Sequence, residues 1–85
     1  MNVFILEDDH DQAQLVKHWL ESRGNQCKHF INGREFIDKL PYEQPDLLIL
    51  DWNLPNLSGL EILNWLRSSD FKDLPVIFAT TRGHD

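Results

Sequence analysis

The stretch Asp46-Leu47-Leu48-Ile49-Leu50-Asp51 decides the fold, because four consecutive apolar residues run between two acids. A continuous apolar run of this length is typical of a central strand that is covered on both faces. A second run, Val3-Phe4-Ile5-Leu6, ends just as abruptly in three acids. If both strands are parallel, their carboxyl ends meet at one sheet edge, where open α/β folds bind ligands. The sequence therefore predicts a cluster of Glu7, Asp8 and Asp51.

Between these two runs, the pattern predicts two helices and a weak strand. Apolar residues recur at helical spacing from roughly His10 to Arg23, and Gly24 follows as a C-terminal stop. Gln26 to Phe30 is short and alternating, which indicates a strand near a sheet edge. Asn32, with an acid three residues later, has capping-box spacing and predicts a helix that ends at Pro41.

The segment after Asp51 adds a third helix and a fourth strand. Ser58 repeats the capping-box spacing, and Val76 to Ala79 forms another apolar run. With the first strand at about Asn2 to Leu6, strands and helices alternate, which predicts an α/β fold with right-handed crossovers. We expect a flavodoxin-like parallel sheet in the order 2-1-3-4, with the fifth strand and its helices of that fold missing.

Composition limits the classes of protein to which the chain can belong. Its 85 residues suit one domain, and 41% hydrophobic content is that of a globular core. The formal net charge of −6 argues against direct nucleic-acid binding by this segment. Cys27 is the single cysteine, there is no basic signal-peptide region, and no apolar stretch is long enough to span a bilayer. We therefore expect a cytoplasmic domain.

The clustered acids predict chemistry on a phosphoryl group. Three carboxylates repel one another unless a cation neutralises them, and Mg²⁺ suits a site of few carboxylates, with Mn²⁺ or Ca²⁺ as substitutes. Asp51, held between a buried strand and a proline-bearing turn, is placed to act as a nucleophile that forms an aspartyl phosphate. Asn53 could offer its backbone carbonyl to the ion, and the Thr80 hydroxyl could hydrogen-bond a new phosphate oxygen.

Ordinary structural interpretations compete with some of these assignments. Acids at a strand exit are common at helix N-termini, and Asp9 is predicted to be an N-cap without a ligand role. Trp52 either gates the site or is a partly buried loop aromatic. The four histidines lack metal-ligand spacing and are interpreted as surface residues, namely His10, His18, His29 and His84.

Taken together, these motifs resemble the receiver domain of a two-component response regulator. Glu7-Asp8 matches the acidic pair of that family, Asp51 its phosphoacceptor, Asn53 its Mg²⁺-binding carbonyl and Thr80 its hydroxyl residue. The segment Asp51 to Gly59 follows the family signature, and Thr81 takes the small-residue position. The similarity extends from Asn2 to Thr81, which makes residues 1–85 a receiver domain of about two-thirds the usual length.

The resemblance implies a phosphorylation switch. A sensor histidine kinase or phosphotransfer protein would donate from phosphohistidine, and the receiver would catalyse transfer to its own Asp51 with Mg²⁺. Such a domain would at most phosphorylate and dephosphorylate itself and would not be a conventional enzyme. Its catalytic residues would be Asp51 and Thr80, and its metal ligands Glu7, Asp8, Asp51 and Asn53.

Two other functions stay open at this level. Receivers have a lysine at the end of a fifth strand, which lies beyond this sequence, so the alternative is a truncated or inactive interaction module that is not phosphorylated. A phosphohydrolase of the haloacid-dehalogenase type also uses aspartyl phosphate, but its Asp-x-Asp motif is replaced here by Glu7-Asp8-Asp9-His10. The apolar run from Val76 further predicts an exposed sheet edge and hence a homodimer or swapped assembly.

Overall fold

Among the residues that the structure describes, four parallel strands form one sheet, and three helices cover its two faces. The computed structural model describes residues 1–51 and 59–79 of the chain. In chain order the elements are β1 (Asn2–Leu6), α1 (His10–Glu21), β2 (Gln26–Phe30), α2 (Gly33–Glu43), β3 (Leu47–Leu50), α3 (Gly59–Arg67) and β4 (Val76–Phe78). The strands pair in the order β2-β1-β3-β4, which confirms the topology predicted from the sequence.

Strand β1 occupies the interior of the sheet between β2 and β3. It pairs in parallel with both neighbours, with Leu6 opposite Phe30 on one side and opposite Leu50 on the other. All four residues from Val3 to Leu6 are buried, because helices cover both faces of the sheet at this point. The two apolar runs that decide the fold are therefore adjacent and end at the same edge.

The hydrophobic core is divided by the sheet into two layers. On the face covered by α1, Leu20 packs against the inward side chains of Val3, Ile5 and Ile49. The opposite face is covered by α2 and α3 and holds the larger layer, which comprises Phe4, Leu6, Phe30, Phe36, Leu40, Leu48, Leu50, Ile62 and Leu66. Alternate residues of each strand thus contribute to opposite layers, as the twofold period of a strand requires.

Helix α1 begins and ends at residues that satisfy its terminal backbone groups. The Asp9 side chain accepts from the N–H groups of Asp11 and Gln12, which confirms Asp9 as the N-cap. The helix ends at Glu21, two residues before the predicted end. Gly24 then adopts a φ of 88°, a left-handed conformation that glycine tolerates without steric cost.

Helix α2 corrects one sequence-based prediction. Asn32 caps its N-terminus as predicted, but the helix does not end at Pro41 and continues to Glu43. Proline lacks the N–H that would bond the Ile37 carbonyl, and its ring crowds that carbonyl, but so close to the C-terminal end these costs do not stop the helix. Termination occurs instead at Gln44, whose φ is 46° and whose N–H donates to the Leu40 carbonyl at 3.0 Å.

Helix α3 leads back to the sheet through a turn that is tied by one arginine. Arg67 Nη1 donates to the carbonyl oxygens of Lys72 at 2.7 Å and Leu74 at 3.3 Å. Strand β4 follows and is one residue shorter than predicted, although the Ala79 N–H still donates to the Leu50 carbonyl at 2.9 Å. None of the helices described here has the length and apolar character needed to cross a membrane.

Candidate functional site

The ends of β1 and β3 place acids side by side at the carboxyl edge of the sheet. Because Leu6 is in register with Leu50, the residues that follow them, Glu7 and Asp51, are neighbours. The Asp51 N–H donates to the Leu6 carbonyl oxygen at 2.9 Å, which extends the sheet ladder by one bond and fixes the Asp51 main chain. The position of Asp51 is therefore set by sheet pairing.

Three carboxyl groups converge at this edge, as the sequence predicts. Glu7, Asp8 and Asp51 each offer a carboxylate oxygen, and these oxygens all lie within 4.8 Å of one another. Asp51 is only 2% exposed and Glu7 7%, whereas Asp8 is exposed to solvent. The site is thus a half-buried acidic cluster with one side open to water.

The electrostatics of the cluster are dominated by Glu7. The pKa of this carboxyl is raised from 4.5 to about 7, chiefly by burial, with further contributions from the charge of Asp51 and from hydrogen bonding to Asp51 and Asp8. The Asp9 N–H, which donates to Glu7 Oε2 at 3.1 Å, opposes that rise in pKa. Near neutral pH this carboxyl therefore holds a proton for part of the time.

The donor set fits a small divalent cation. All three groups are carboxylates, which are the hard oxygen ligands that Mg²⁺ takes, and one side of the cluster is open for waters or a phosphoryl group. A cation would offset the repulsion among the carboxylates and would compete with the Glu7 proton. Glu7, Asp8 and Asp51 are the described residues that could hold it.

The main chain at Glu7 is held from β2 by two hydrogen bonds. The Glu7 N–H donates to the Phe30 carbonyl at 3.0 Å, and His29 Nε2 lies 2.8 Å from the Glu7 carbonyl oxygen. The interpretation of His29 as a surface residue was therefore wrong, because its ring is half-buried and hydrogen-bonded. The sequence did contain a signal for this contact. His29 lies next to the last residue of a predicted strand, and that strand ends at the same sheet edge as the acids. His10 and His18 are exposed, as predicted.

Some predicted site residues lie outside the part of the chain that the structure describes. They are Asn53 and Thr80; Trp52, Thr81, the predicted helix cap Ser58 and the predicted surface residue His84 also lie outside it. The sequence-based roles of Asn53 and Thr80 therefore stay predictions.

Comparison with known proteins agrees with this arrangement. The chain is 36% identical over 84 residues to the phosphate regulon transcriptional regulatory protein PhoB of Rhizobium meliloti, covering 98% of this chain and 37% of PhoB. It is 35% identical over 80 residues to the polar-differentiation response regulator DivK of Brucella anthropi, covering 93% of this chain and 65% of DivK. The chain thus spans just under two thirds of DivK and little more than a third of PhoB.

Solved structures show the same architecture. The signal receiver domain of a signal transduction histidine kinase from Syntrophus aciditrophicus matches with a TM-score of 0.88 and 37% identity, over 96% of this chain and 63% of that one. The response regulator protein TrrA from Thermotoga maritima, in complex with Mg²⁺ and BeF, matches with a TM-score of 0.88 and 30% identity, over 98% of this chain and 71% of that one.

The sequence profile of the response regulator receiver domain matches residues 3–85, nearly the whole chain. The strand order, the acids at the carboxyl edge and this match all lead to one conclusion. The chain belongs to the response regulator receiver domain family.

Proposed function

We propose that this receiver domain accepts a phosphoryl group on Asp51 from the phosphohistidine of a sensor histidine kinase or a phosphotransfer protein. The observation that supports it most directly is the convergence of three carboxylates at the end of β3, with Asp51 among them. Residues 1–85 would then form about the N-terminal two-thirds of a full receiver, acting in the cytoplasm and making no direct contact with nucleic acid.

Asp51 is the proposed nucleophile. One of its carboxylate oxygens forms a bond to phosphorus while the bond between phosphorus and the donor imidazole nitrogen breaks, and that nitrogen takes up a proton as it leaves. The buried position of Asp51 and its backbone bond to Leu6 restrict its motion, so the reacting oxygen is held in place before the donor arrives. The product is an acyl phosphate on Asp51, which water can hydrolyse to restore the carboxylate.

Glu7 and Asp8 are the proposed partners of Asp51 in holding Mg²⁺, with the Asn53 backbone carbonyl as a further ligand. Bound Mg²⁺ supplies positive charge that offsets the repulsion between the carboxylates and the phosphoryl oxygens. The similarity to TrrA, whose structure is a complex with Mg²⁺ and BeF, supports this assignment. The Thr80 hydroxyl is proposed to donate a hydrogen bond to an oxygen of the new phosphoryl group.

Mass spectrometry of the intact chain tests the proposal. Incubation with a small acyl-phosphate donor and Mg²⁺ is expected to add the mass of one phosphoryl group to the wild-type chain and nothing to Asp51→Asn. Chelation of Mg²⁺ with EDTA should abolish the adduct on the wild type, whereas Asp38→Asn, on the exposed face of α2, should be labelled normally. If the 85-residue chain stays unlabelled while a longer chain with a fifth strand is labelled, the interaction-module alternative applies to this chain.

A further inference from the structure

We propose that His29 is a positioning residue for the acidic site, because its imidazole holds the Glu7–Asp8 peptide in the orientation that brings the Asp8 carboxylate to Asp51. The inference rests on the proposed function, in which this cluster binds Mg²⁺. His29 touches neither the ion nor the reacting atoms and acts through the main chain of Glu7.

The hydrogen-bond ladder between β1 and β2 ends at the site. Its last main-chain bond runs from the Glu7 N–H to the Phe30 carbonyl, because β2 ends at Phe30. The next polar group along the chain, the Glu7 carbonyl, lies 2.8 Å from His29 Nε2. A carbonyl oxygen can only accept, so Nε2 must carry the proton and donate. The imidazole thus donates the hydrogen bond to the Glu7 carbonyl at the point where β2 has no further residue to provide one.

The carbonyl that His29 holds belongs to the peptide that leads into Asp8. A change in ψ of Glu7 that is not cancelled by an opposite change in φ of Asp8 swings the Asp8 side chain. Burial restrains Glu7 and Asp51, but Asp8 is exposed and gains little restraint from packing. Its carboxylate is held by the hydrogen bond to the Glu7 side chain and by the orientation of the backbone, so a change in that orientation displaces it.

The ring of His29 is itself held in place. It is half-buried in β2 and lies with its centroid 6.1 Å from that of His10, the first residue of α1. Further along the same turn, Asp9 caps α1 and donates its N–H to Glu7 Oε2 at 3.1 Å. The turn from Glu7 to Asp9 is therefore fixed between β2 and α1, with His29 contributing the bond at the Glu7 carbonyl.

Long-range ¹H–¹⁵N spectra of wild-type His29 test the hydrogen bond without any substitution. They are expected to show a protonated Nε2 in the metal-free chain at neutral pH. A neutral ring protonated only at Nδ1 would overturn the proposal, because such a ring cannot donate to the Glu7 carbonyl.

Substitutions separate hydrogen bonding from packing. His29→Phe keeps a ring but has no donor, whereas His29→Gln keeps a donor near the position of Nε2. We expect the Mg²⁺ dissociation constant, measured calorimetrically, to rise roughly tenfold in His29→Phe and to stay within about twofold in His29→Gln. His18→Phe, an identical replacement at an exposed position of α1, should bind as the wild type does.

The outcomes distinguish this proposal from the function on which it rests. Equal affinity of folded His29→Phe and wild type would overturn the positioning role, and so would equal weakening by the Phe and Gln variants. If wild type itself does not bind Mg²⁺, the proposed function fails, yet the Asp8 amide shift in the metal-free chain still tests His29. Compared with the wild type, the Asp8 amide chemical shift should change in His29→Phe and stay the same in His29→Gln. A shift that changes in His29→Gln but not in His29→Phe would overturn the inference. Should His29→Phe not fold, His29→Leu replaces it as the variant without a donor.

Discussion

At the scale of single residues, the raised pKa of Glu7 predicts a pH-dependent stability. Its folded pKa of about 7 lies above the ordinary 4.5, so the folded chain holds this proton at pH values where the unfolded chain has lost it. Its contribution to the free energy of unfolding is therefore complete below pH 4.5 and is lost as the pH rises to 7. The size is on the order of 1–3 kcal/mol.

Urea unfolding in EDTA at pH 5 and pH 8 measures this effect. Relative to Glu7→Gln, the wild type should have a lower free energy of unfolding at pH 8 than at pH 5. Glutamine does not titrate, so the variant is the reference at both pH values. Millimolar Mg²⁺ should restore part of the wild-type stability at pH 8. A difference between wild type and Glu7→Gln that does not change with pH would contradict the prediction.

Asp51 is expected to destabilise the metal-free fold. Its charge helps to raise the pKa of Glu7, so Asp51→Asn should lower that pKa toward 4.5 and stabilise the chain at pH 8 in EDTA by about 1 kcal/mol. Mg²⁺ should then add little further stability. The pKa of Glu7 is measured from the pH dependence of its carboxyl carbon chemical shift, and the stability is measured by thermal unfolding. Asp38→Asn is the control and should change neither quantity. A less stable Asp51→Asn chain without metal would count against this account.

At the scale of elements, Pro41 is predicted to weaken the last turn of α2. Pro41→Ala restores an N–H that can donate to the Ile37 carbonyl, and the exposed position of Pro41 means that little packing is lost. Because proline also restricts the unfolded chain, the expected net gain is only about 1 kcal/mol. Chemical denaturation measures it, with Tyr42→Ala, at a side chain that is 83% exposed, as the control. A destabilised Pro41→Ala chain would refute the prediction.

At the scale of the whole molecule, the two edges of the described sheet differ in their protection. On the β2 edge, Lys28 Nζ lies 2.7 Å from Glu43 Oε2, and charges of this kind discourage strand addition. On the β4 edge, β4 pairs with β3, and no further strand lies beyond it among residues 1–51 and 59–79. Ile77 in β4 is 51% exposed. We therefore predict self-association through β4.

Light scattering across a concentration series tests this assembly. Wild type should show dimer at tens of micromolar, and Ile77→Lys should shift the equilibrium toward monomer, because it places a charge on the apolar edge. Leu15→Lys, at a 66% exposed position of α1, is the matched control and should associate as wild type does. A compact wild-type monomer throughout the series would exclude the β4 assembly.

Most of the fold followed from local patterns. The apolar run at residues 47–50 predicted a strand covered on both faces, and Asp9 and Asn32 marked the N-termini of α1 and α2 correctly, because capping depends on side chains close to the helix end. Pro41 misled for a related reason. The effect of a proline on a helix depends on how close it lies to the helix end, and the sequence did not show that α2 continues to Glu43.

The sequence by itself determined that acids follow two apolar strands of an α/β fold, because the apolar runs and their alternation with helical segments are local patterns. Only the tertiary structure decided which helices cover each face, and only it placed the His29 ring against the Glu7 carbonyl. The raised pKa of Glu7 likewise depends on burial and on the distance to Asp51. Such effects arise between atoms from segments far apart in the chain, so no local pattern of residues specifies them.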